Sequence, residues 1–452
     1  MNKNILFIAY HFPPIGGSGV QRSLKYVKYL PEFNCNPIVV TVENGHNFAY
    51  DYSMLKEVPT NIKIYRSNSG EKLWLRNKIE NINKALVKVK DSIKLNSTEK
   101  VSDNKGKSEE SETIKDKVFR YLEYNYYIPD TKIRWYKHAV KDIKNRVLKE
   151  NDIDIIYSTS APYTDHLIGL HIKKNTNKPW IADFRDPWIG NGAISDKYPK
   201  ERIEKEKKME REVVEFADII INVTEPITEM YKKRYPEYSK KFVTITNGFD
   251  SKDKVEVEII KSEKFEISYL GLLDSTRTPK SLILALEKLV KDNSELEKDL
   301  QVNFIGFVSD ELKNIMAKSN ISKNIKIGNY IEHKDAIKVM ANSSINLMIL
   351  PDDEESKGVF TGKIFDYILA EKPILGIMPS DGVAANLINS NKIGLGVNHN
   401  EIDKICDFII NQYKLFKEGE NTNTNAVVKC KDYDRINLTK KLVGLVNQLV
   451  IK

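Results

Sequence analysis

Apolar positions along the chain fall into two alternating patterns. The first is a series of short, continuous, Val- and Ile-rich runs. In the first half these are ILFIAY, PIVVTV, IKIYR, DIIYSTS, PWIADF, DIIINVT and FVTITNG. In the second half they are FEISYLG, VNFIGFV, IKIGNYI, INLMILP, KPILGIM and GLGV. The second pattern is helical, with apolar residues three and four apart, as in GVQRSLKYVKYL, PKSLILALEKLVKD, HKDAIKVMANS and TGKIFDYILA. A strand covered on both faces reads as an unbroken apolar run, and parallel strands need crossover helices between them. The alternation therefore predicts an α/β fold of two doubly wound, Rossmann-like domains, with a hinge near GFDSKDKVEVEIIKSEK. We expect a first domain over 1–252, a second over 253–431, and a closing helix over 432–452 that packs back on the N-terminal domain. A chain of 452 residues is also too long for one ordinary core.

An insertion about 71–128 breaks the rhythm. Residues 98–116 are polar and charged, the composition of a loop without a core of its own. Before them, Leu75, Ile79, Ile82, Leu86, Val89 and Ile93 recur at helical spacing, flanked by Trp74 and a basic face that includes Lys72, Arg76, Lys84 and Lys88. Such a stripe either packs on a domain or a second chain, or lies in an anionic membrane interface. We expect the second use for 72–95.

Composition adds bounds rather than a choice. The net charge of +8 suits nucleic acid, anionic lipid or phosphorylated substrates and selects none. Three widely spaced cysteines argue against a disulfide framework and for a reducing cytoplasm. The run Ile5–Tyr10 is short for a secretory leader, and no stretch has the apolar length of a membrane span. The expected location is cytoplasmic, peripheral on the inner face of the membrane.

Four stretches carry candidate chemistry. HFPPIGGSGVQR follows the first strand and opens a helix, which makes an anion site of backbone N–H groups or a plain tight turn. Gly17 and Gly19 fit two positions of a dinucleotide fingerprint and Glu43 ends the second strand, but Arg22 stands where the third glycine belongs. Ser158–Thr159–Ser160 and Asp183–Arg185–Asp186 end two further strands, where ligands of open α/β sheets collect. Asp183 and Asp186 either pair with Arg185 in a buried clamp or face a ligand. His166 reads as a packing or surface histidine. YLGLLDSTRTPKSL places Arg277 and Lys280 at a helix start, where cations are unfavourable unless they share an anion, such as a diphosphate; otherwise both point to water. KGVFTGKIFDYILAEKPILG places Lys363 for phosphate and Asp366 for a ribose diol, or leaves Asp366 a favourable first-turn charge. Zinc spacing, a Walker loop and a G-x-S-x-G elbow are missing from the sequence, and neither Asp152/Asp154 nor Asp432/Asp434 ends a strand. We assign no metal.

Together these pieces resemble the GT-B glycosyltransferases, family 4 in particular, of the type that builds bacterial capsule, O-antigen or other surface polysaccharide. The resemblance spans nearly the whole chain and rests on HFPPIGGSGVQR, Pro129–Asp130 with Trp135, STSAPYTDHL, PWIADFRDPW, ADIIINVTEP, ITNGFD, YLGLLDSTRTPKSL and TGKIFDYILAEKPILG in that order. It implies two domains facing a cleft, the first for the acceptor and the second for the nucleotide-sugar. It implies a retaining, metal-independent transfer from a UDP- or GDP-sugar to a lipid-linked saccharide, without a cofactor or nucleic acid.

It also implies residue roles. Arg277 and Lys280 neutralise the departing diphosphate, with Lys363 and the Gly16–Gly17 backbone beside it. Asp366 takes the place of the second glutamate of the family's E-x(7)-E motif and holds the ribose. Backbone at Tyr330–Ile331 meets the base. Gly358 stands at the first glutamate's place, for which Glu354 or Glu355 would substitute. On the acceptor side stand Ser160, Arg185, Asp130, Trp135 and Asp183, with Asp186 orienting the hydroxyl or taking its proton. Two rival readings are a Rossmann-type NAD-dependent oxidoreductase using Gly17, Gly19 and Glu43, and a catalytically silent GT-B module that binds a sugar or a partner.

Overall fold

The computed structural model describes residues 2–43, 45, 50–71, 124–190, 198–254, 257, 262–420 and 423–450. The basic apolar stripe of 72–95 and the polar segment 98–116 lie outside them.

The first sheet has seven strands: β1 (Lys3–Ile8), β2 (Cys35–Val42), β3 (Ile64–Ser67), β4 (Ile155–Ser160), β5 (Trp180–Phe184), β6 (Ile219–Asn222) and β7 (Phe242–Thr244), in the spatial order β3-β2-β1-β4-β5-β6-β7. Its helices include α1 (Ser18–Tyr29), α2 (Ile133–Asp142), α3 (Thr164–Thr176), α4 (Lys200–Phe216) and α5 (Glu225–Arg234). The second sheet has six strands: β8 (Phe265–Leu270), β9 (Leu300–Ile305), β10 (Ile325–Gly328), β11 (Ile345–Ile349), β12 (Ile374–Ile377) and β13 (Gly394–Val397), ordered β10-β9-β8-β11-β12-β13. Its helices include α6 (Lys280–Asp292), α7 (Asp310–Lys318), α8 (His333–Asn342), α9 (Gly362–Ala370), α10 (Val383–Ser390) and α11 (Ile402–Glu418), and α12 (Arg435–Val450) follows.

Every apolar run named above overlaps one of these strands, and the central ones are buried on both faces. Residues Ile155–Ser160 of β4 and Trp180–Phe184 of β5 are buried without interruption. The pairings with recorded register are parallel, such as Phe7 with Val39 on one side and Phe7 with Tyr157 on the other.

By contacts the chain divides into Met1–Ile221 with Leu445–Lys452, and Asn222–Gly444. The end of α12 therefore groups with the first unit, where Lys3 donates a hydrogen bond to Asn447. No helix of the described residues is long and apolar enough to cross a membrane.

Each sheet reverses its winding once. In the first the switch lies between β1 and β4, and in the second between β8 and β11. Loops leaving the carboxyl ends of strands diverge at such a point and leave room for a ligand. The candidate residues of each unit gather there.

Candidate functional site

In the second unit the chemistry starts from glycines. Gly271 follows β8 with φ of +137°, and Gly306 follows β9 with φ of +124°. Both angles are ones that side-chain-bearing residues rarely adopt. A β-carbon on Gly306 would lie 2.5 Å from the carbonyl oxygen of Gly271, and one on Gly271 would lie 2.1 Å from Nζ of Lys363. The glycine thus makes room for the lysine. Lys363, in the first turn of α9, lays its ammonium over the ring of Tyr269 at 4.6 Å and within 3.5 Å of its hydroxyl. Tyr269 in turn donates to the carbonyl of Leu272 at 2.8 Å.

Burial, with the Arg277 guanidinium second, pushes the Lys363 pKa down to about 8, while Asp366 pulls it upward. Arg277 is held by its own loop. Asp274 accepts from the backbone N–H of Thr276 at 2.9 Å and of Arg277 at 3.0 Å, and the Arg277 guanidinium stands 3.5 Å from the same carboxylate. Two cations therefore converge at the carboxyl end of β8. Bringing them together costs electrostatic energy that a multiply charged anion would offset.

Arg277, Lys280 and Lys363 are all expected at the phosphate, and Arg277 lies within electrostatic reach of Lys363. Lys280 is exposed at the start of α6, with no hydrogen bond or ion pair among the described residues. Asp366 is half-buried, one turn into α9. Tyr330 is 84% exposed beyond β10, and Ile331 beside it is half-buried. Gly358 ends the short turn Glu354–Lys357, where Glu354 pairs with Lys357 at 2.7 Å and Glu355 is exposed.

Gly271→Ala is expected to destabilise the second unit by about 1–3 kcal/mol through strain at its φ angle and to displace the lysine. Melting temperature and affinity for UDP should fall together. Unchanged UDP affinity in this variant would show that Lys363 does not contact the diphosphate.

In the first unit the anchor is a pair that local reading of the sequence did not join. Arg22 on α1 donates to both oxygens of Asp183 on β5, from Nε at 2.7 Å and from a terminal nitrogen at 2.9 Å. Tyr157 and Thr159 of β4 also donate to that carboxylate, at 2.5 and 3.1 Å. Asp183 is fully buried, and its four donors leave it a structural anchor rather than a group presented to ligand. The expected clamp partner was Arg185, but Arg185 has other work. It donates to the carbonyls of Gly19, Ser160 and Ala161, the last at 2.9 Å, and so ties the glycine loop to the end of β4.

Four other expectations are corrected or refined. Trp135 is fully buried, with its indole N–H donating to Ser67 at 2.8 Å, and belongs to the core rather than to an acceptor surface. Asp130 accepts from the backbone and hydroxyl of Thr164 at 2.9 and 2.8 Å, and so caps α3. Burial raises its pKa. Gly17 has φ of +101° with open space around the missing β-carbon. Backbone conformation, rather than crowding, therefore requires glycine there. Gly16 beside it is half-buried. His166 is a packing residue, as expected: it is buried, bonded to Ser158 at 2.8 Å and stacked on Phe184 at 4.5 Å.

Among the described residues, two candidate side chains make no hydrogen bond. Ser160 is buried with a hydroxyl that lacks a partner. Asp186 is exposed, and its carboxylate makes no hydrogen bond among the described residues. Local motif reading could not find the Arg22–Asp183 pair, which is separated by 161 positions. The available signal was a charged residue on a helical face shared with Tyr26 and Tyr29.

No protein-family model and no curated protein matches the sequence. Solved structures do match, over the full length. A glycosyltransferase from Rickettsia africae ESF-5 is 15% identical with a TM-score of 0.56, over 100% of this chain and 99% of that one. An E. coli trehalose-6-phosphate structure bound with UDP-2-fluoro glucose is 12% identical with a TM-score of 0.59, over 99% of each chain. A variant of S. aureus TarM in complex with Fondaparinux, alpha-GlcNAc-glycerol and UDP is 12% identical with a TM-score of 0.54, over 98% of this chain and 100% of that one. At such identities the likeness is one of fold. The chain has the GT-B architecture of two parallel-sheet α/β domains.

Proposed function

We propose that the chain is a nucleotide-sugar-dependent glycosyltransferase. The observation that carries this reading is the half-buried Lys363 ammonium set beside Arg277 over Gly271, a site suited to a diphosphate. The full-length fold likeness to a glycosyltransferase and to proteins solved with UDP or a UDP-sugar supports it. In this reading Arg277 and Lys363 neutralise charge on the departing diphosphate. Lys280 joins them only on substrate binding, Asp366 holds the ribose, and backbone at Tyr330–Ile331 meets the base. The first unit supplies the acceptor side, with Ser160, Asp186 and the Arg185-tethered loop. We further propose a retaining, metal-independent transfer to a lipid-linked saccharide in surface-polysaccharide synthesis, on the sequence resemblance alone.

The oxidoreductase reading loses its fingerprint, since Arg22 at the third-glycine position is committed to Asp183. The silent-module reading keeps one observation, Gly358 where the family's glutamate belongs. A calorimetric screen of UDP, GDP, their sugars and NAD(H), followed by a turnover assay on the bound donor with and without chelator, tests all three. Binding of NAD(H) alone would overturn the proposal, and donor binding without turnover would favour the silent module. Asp366→Asn should raise the donor's KM while leaving the melting temperature in place. A fall in melting temperature at constant KM would reduce Asp366 to a helix-start charge.

A further inference from the structure

Resting on that reading, we propose that His11 is the group of the first unit that binds and orients the acceptor's attacking hydroxyl. The backbone of Tyr10 is fixed on both sides, its N–H donating to Asp165 at 2.8 Å and its carbonyl accepting from Thr41 at 3.0 Å. The Tyr10 ring is buried edge-on against Trp135 at 5.3 Å. His11 is the next residue, three beyond the end of β1, and its ring meets Tyr10 edge-on at 5.3 Å. It leaves β1 at the switch point, opposite the end of β4.

The ring is half-buried, and among the described residues neither nitrogen has a hydrogen-bond partner. Neither nitrogen is sealed from solvent, so water or a ligand hydroxyl can bond them. Burial first, then the charges of Arg185 beyond β5 and Lys132 before α2, lower its pKa to about 4. The ring is thus neutral at physiological pH, with one nitrogen able to accept from a hydroxyl and the other able to donate. A vicinal diol of a saccharide matches that pair of functions. The same flanking cations would repel a cationic ligand. The buried, unpartnered hydroxyl of Ser160 and the exposed carboxylate of Asp186 end the neighbouring strands β4 and β5. A polyol bound at this switch point would meet His11 from the β1 side.

The experiment uses the full chain with His11→Ala, His11→Asn and His11→Gln. UDP and GDP affinities are measured by calorimetry. Transfer is measured from the donor that binds to a panel of octyl glycosides, and glycoside binding by saturation-transfer NMR. We expect His11→Ala to lower kcat/KM for the glycoside at least thirtyfold, with nucleotide affinity within twofold of wild type. Asn or Gln should recover part of the loss. The wild-type profile should be flat from about pH 5.5 to 7 and fall toward pH 4 as His11 gains its proton.

Equal glycoside kinetics in wild type and a folded variant would overturn the assignment. So would an inflection near pH 6.5 that disappears on substitution, or a wild type that binds nucleotide yet neither binds nor modifies any glycoside. Should alanine prevent folding, seen as a lost melting transition, the Asn and Gln variants decide on the same readouts. If wild type binds no nucleotide at all, the glycosyltransferase reading itself has failed.

Discussion

Arg22→Ala is expected to destabilise the first unit by about 3–5 kcal/mol, the cost of leaving a buried charge without its partner. Arg22 is 1% exposed and Asp183 fully buried, so water cannot replace the lost guanidinium. The pair holds its charge against strong desolvation. Burial opposes both ionised forms, yet Asp183 raises the Arg22 pKa and Arg22 holds the Asp183 carboxyl below its usual range. With the folded pKa of Asp183 depressed, its stabilisation is present at neutral pH. It is lost as pH falls through the ordinary carboxylate value of 3.8 and below.

The four tryptophans are Trp74, Trp135, Trp180 and Trp188, and intrinsic fluorescence therefore reports on residues 1–221. Urea unfolding followed by that signal should show the loss in Arg22→Ala. The double variant Arg22→Met with Asp183→Leu should lose less, since it strands no charge. A loss under about 1 kcal/mol in Arg22→Ala would mean that the pair is solvated in solution, like surface pairs of that strength.

Lys363→Met should weaken UDP or GDP binding by roughly 10- to 150-fold, as should Arg277→Ala, because a hydrogen bond to a charged partner contributes about 1.5–3 kcal/mol. Nucleosides should be bound nearly unchanged. The lysine adds a pH signature. Its ammonium is intact below about 8 and is lost above it, so diphosphate affinity should fall as pH rises through that value. The drop from pH 7 to 9.5 should be roughly tenfold and should vanish in Lys363→Met. Calorimetry at the two pH values separates the effects. Equal losses for nucleoside and diphosphate would make both cations supports of the fold.

The strands were legible because burial on two faces writes itself as unbroken apolar sequence, and α9 was legible from its stripe of Ile364, Phe365 and Ile368. The donor-side residues were partly legible. A strand–glycine–helix succession identified Arg277, Lys363 and Asp366, but the Arg277–Lys363 partnership depends on which strands lie side by side. Linear spacing favoured Lys280, three residues from Arg277, over Lys363, which arrives from the helix before β12. On the acceptor side, proximity in sequence joined Arg185 to Asp183. Parallel pairing instead turned Asp183 toward α1, where it pairs with Arg22. Trp135 and Asp130 carried a motif's look yet serve packing and capping, a distinction that needs three-dimensional burial. His11 was read as part of a proline–glycine loop, since nothing in the linear sequence reveals the burial, or the charges of Arg185 and Lys132, that keep it neutral.

The fit of Lys363 against Gly271 has a consequence for covalent chemistry. An amine with a pKa of about 8 is unprotonated in roughly one molecule in ten at pH 7, against about one in three thousand for an ordinary lysine. The unprotonated amine is the nucleophile. Lys363 should therefore react with aldehydes and acyl phosphates at neutral pH more readily than a lysine of ordinary pKa. A reagent that carries an anionic group would be drawn to the neighbouring Arg277 while its electrophile meets the amine. Peptide mapping after reductive trapping would find the label on Lys363, and bound nucleoside diphosphate would keep it off.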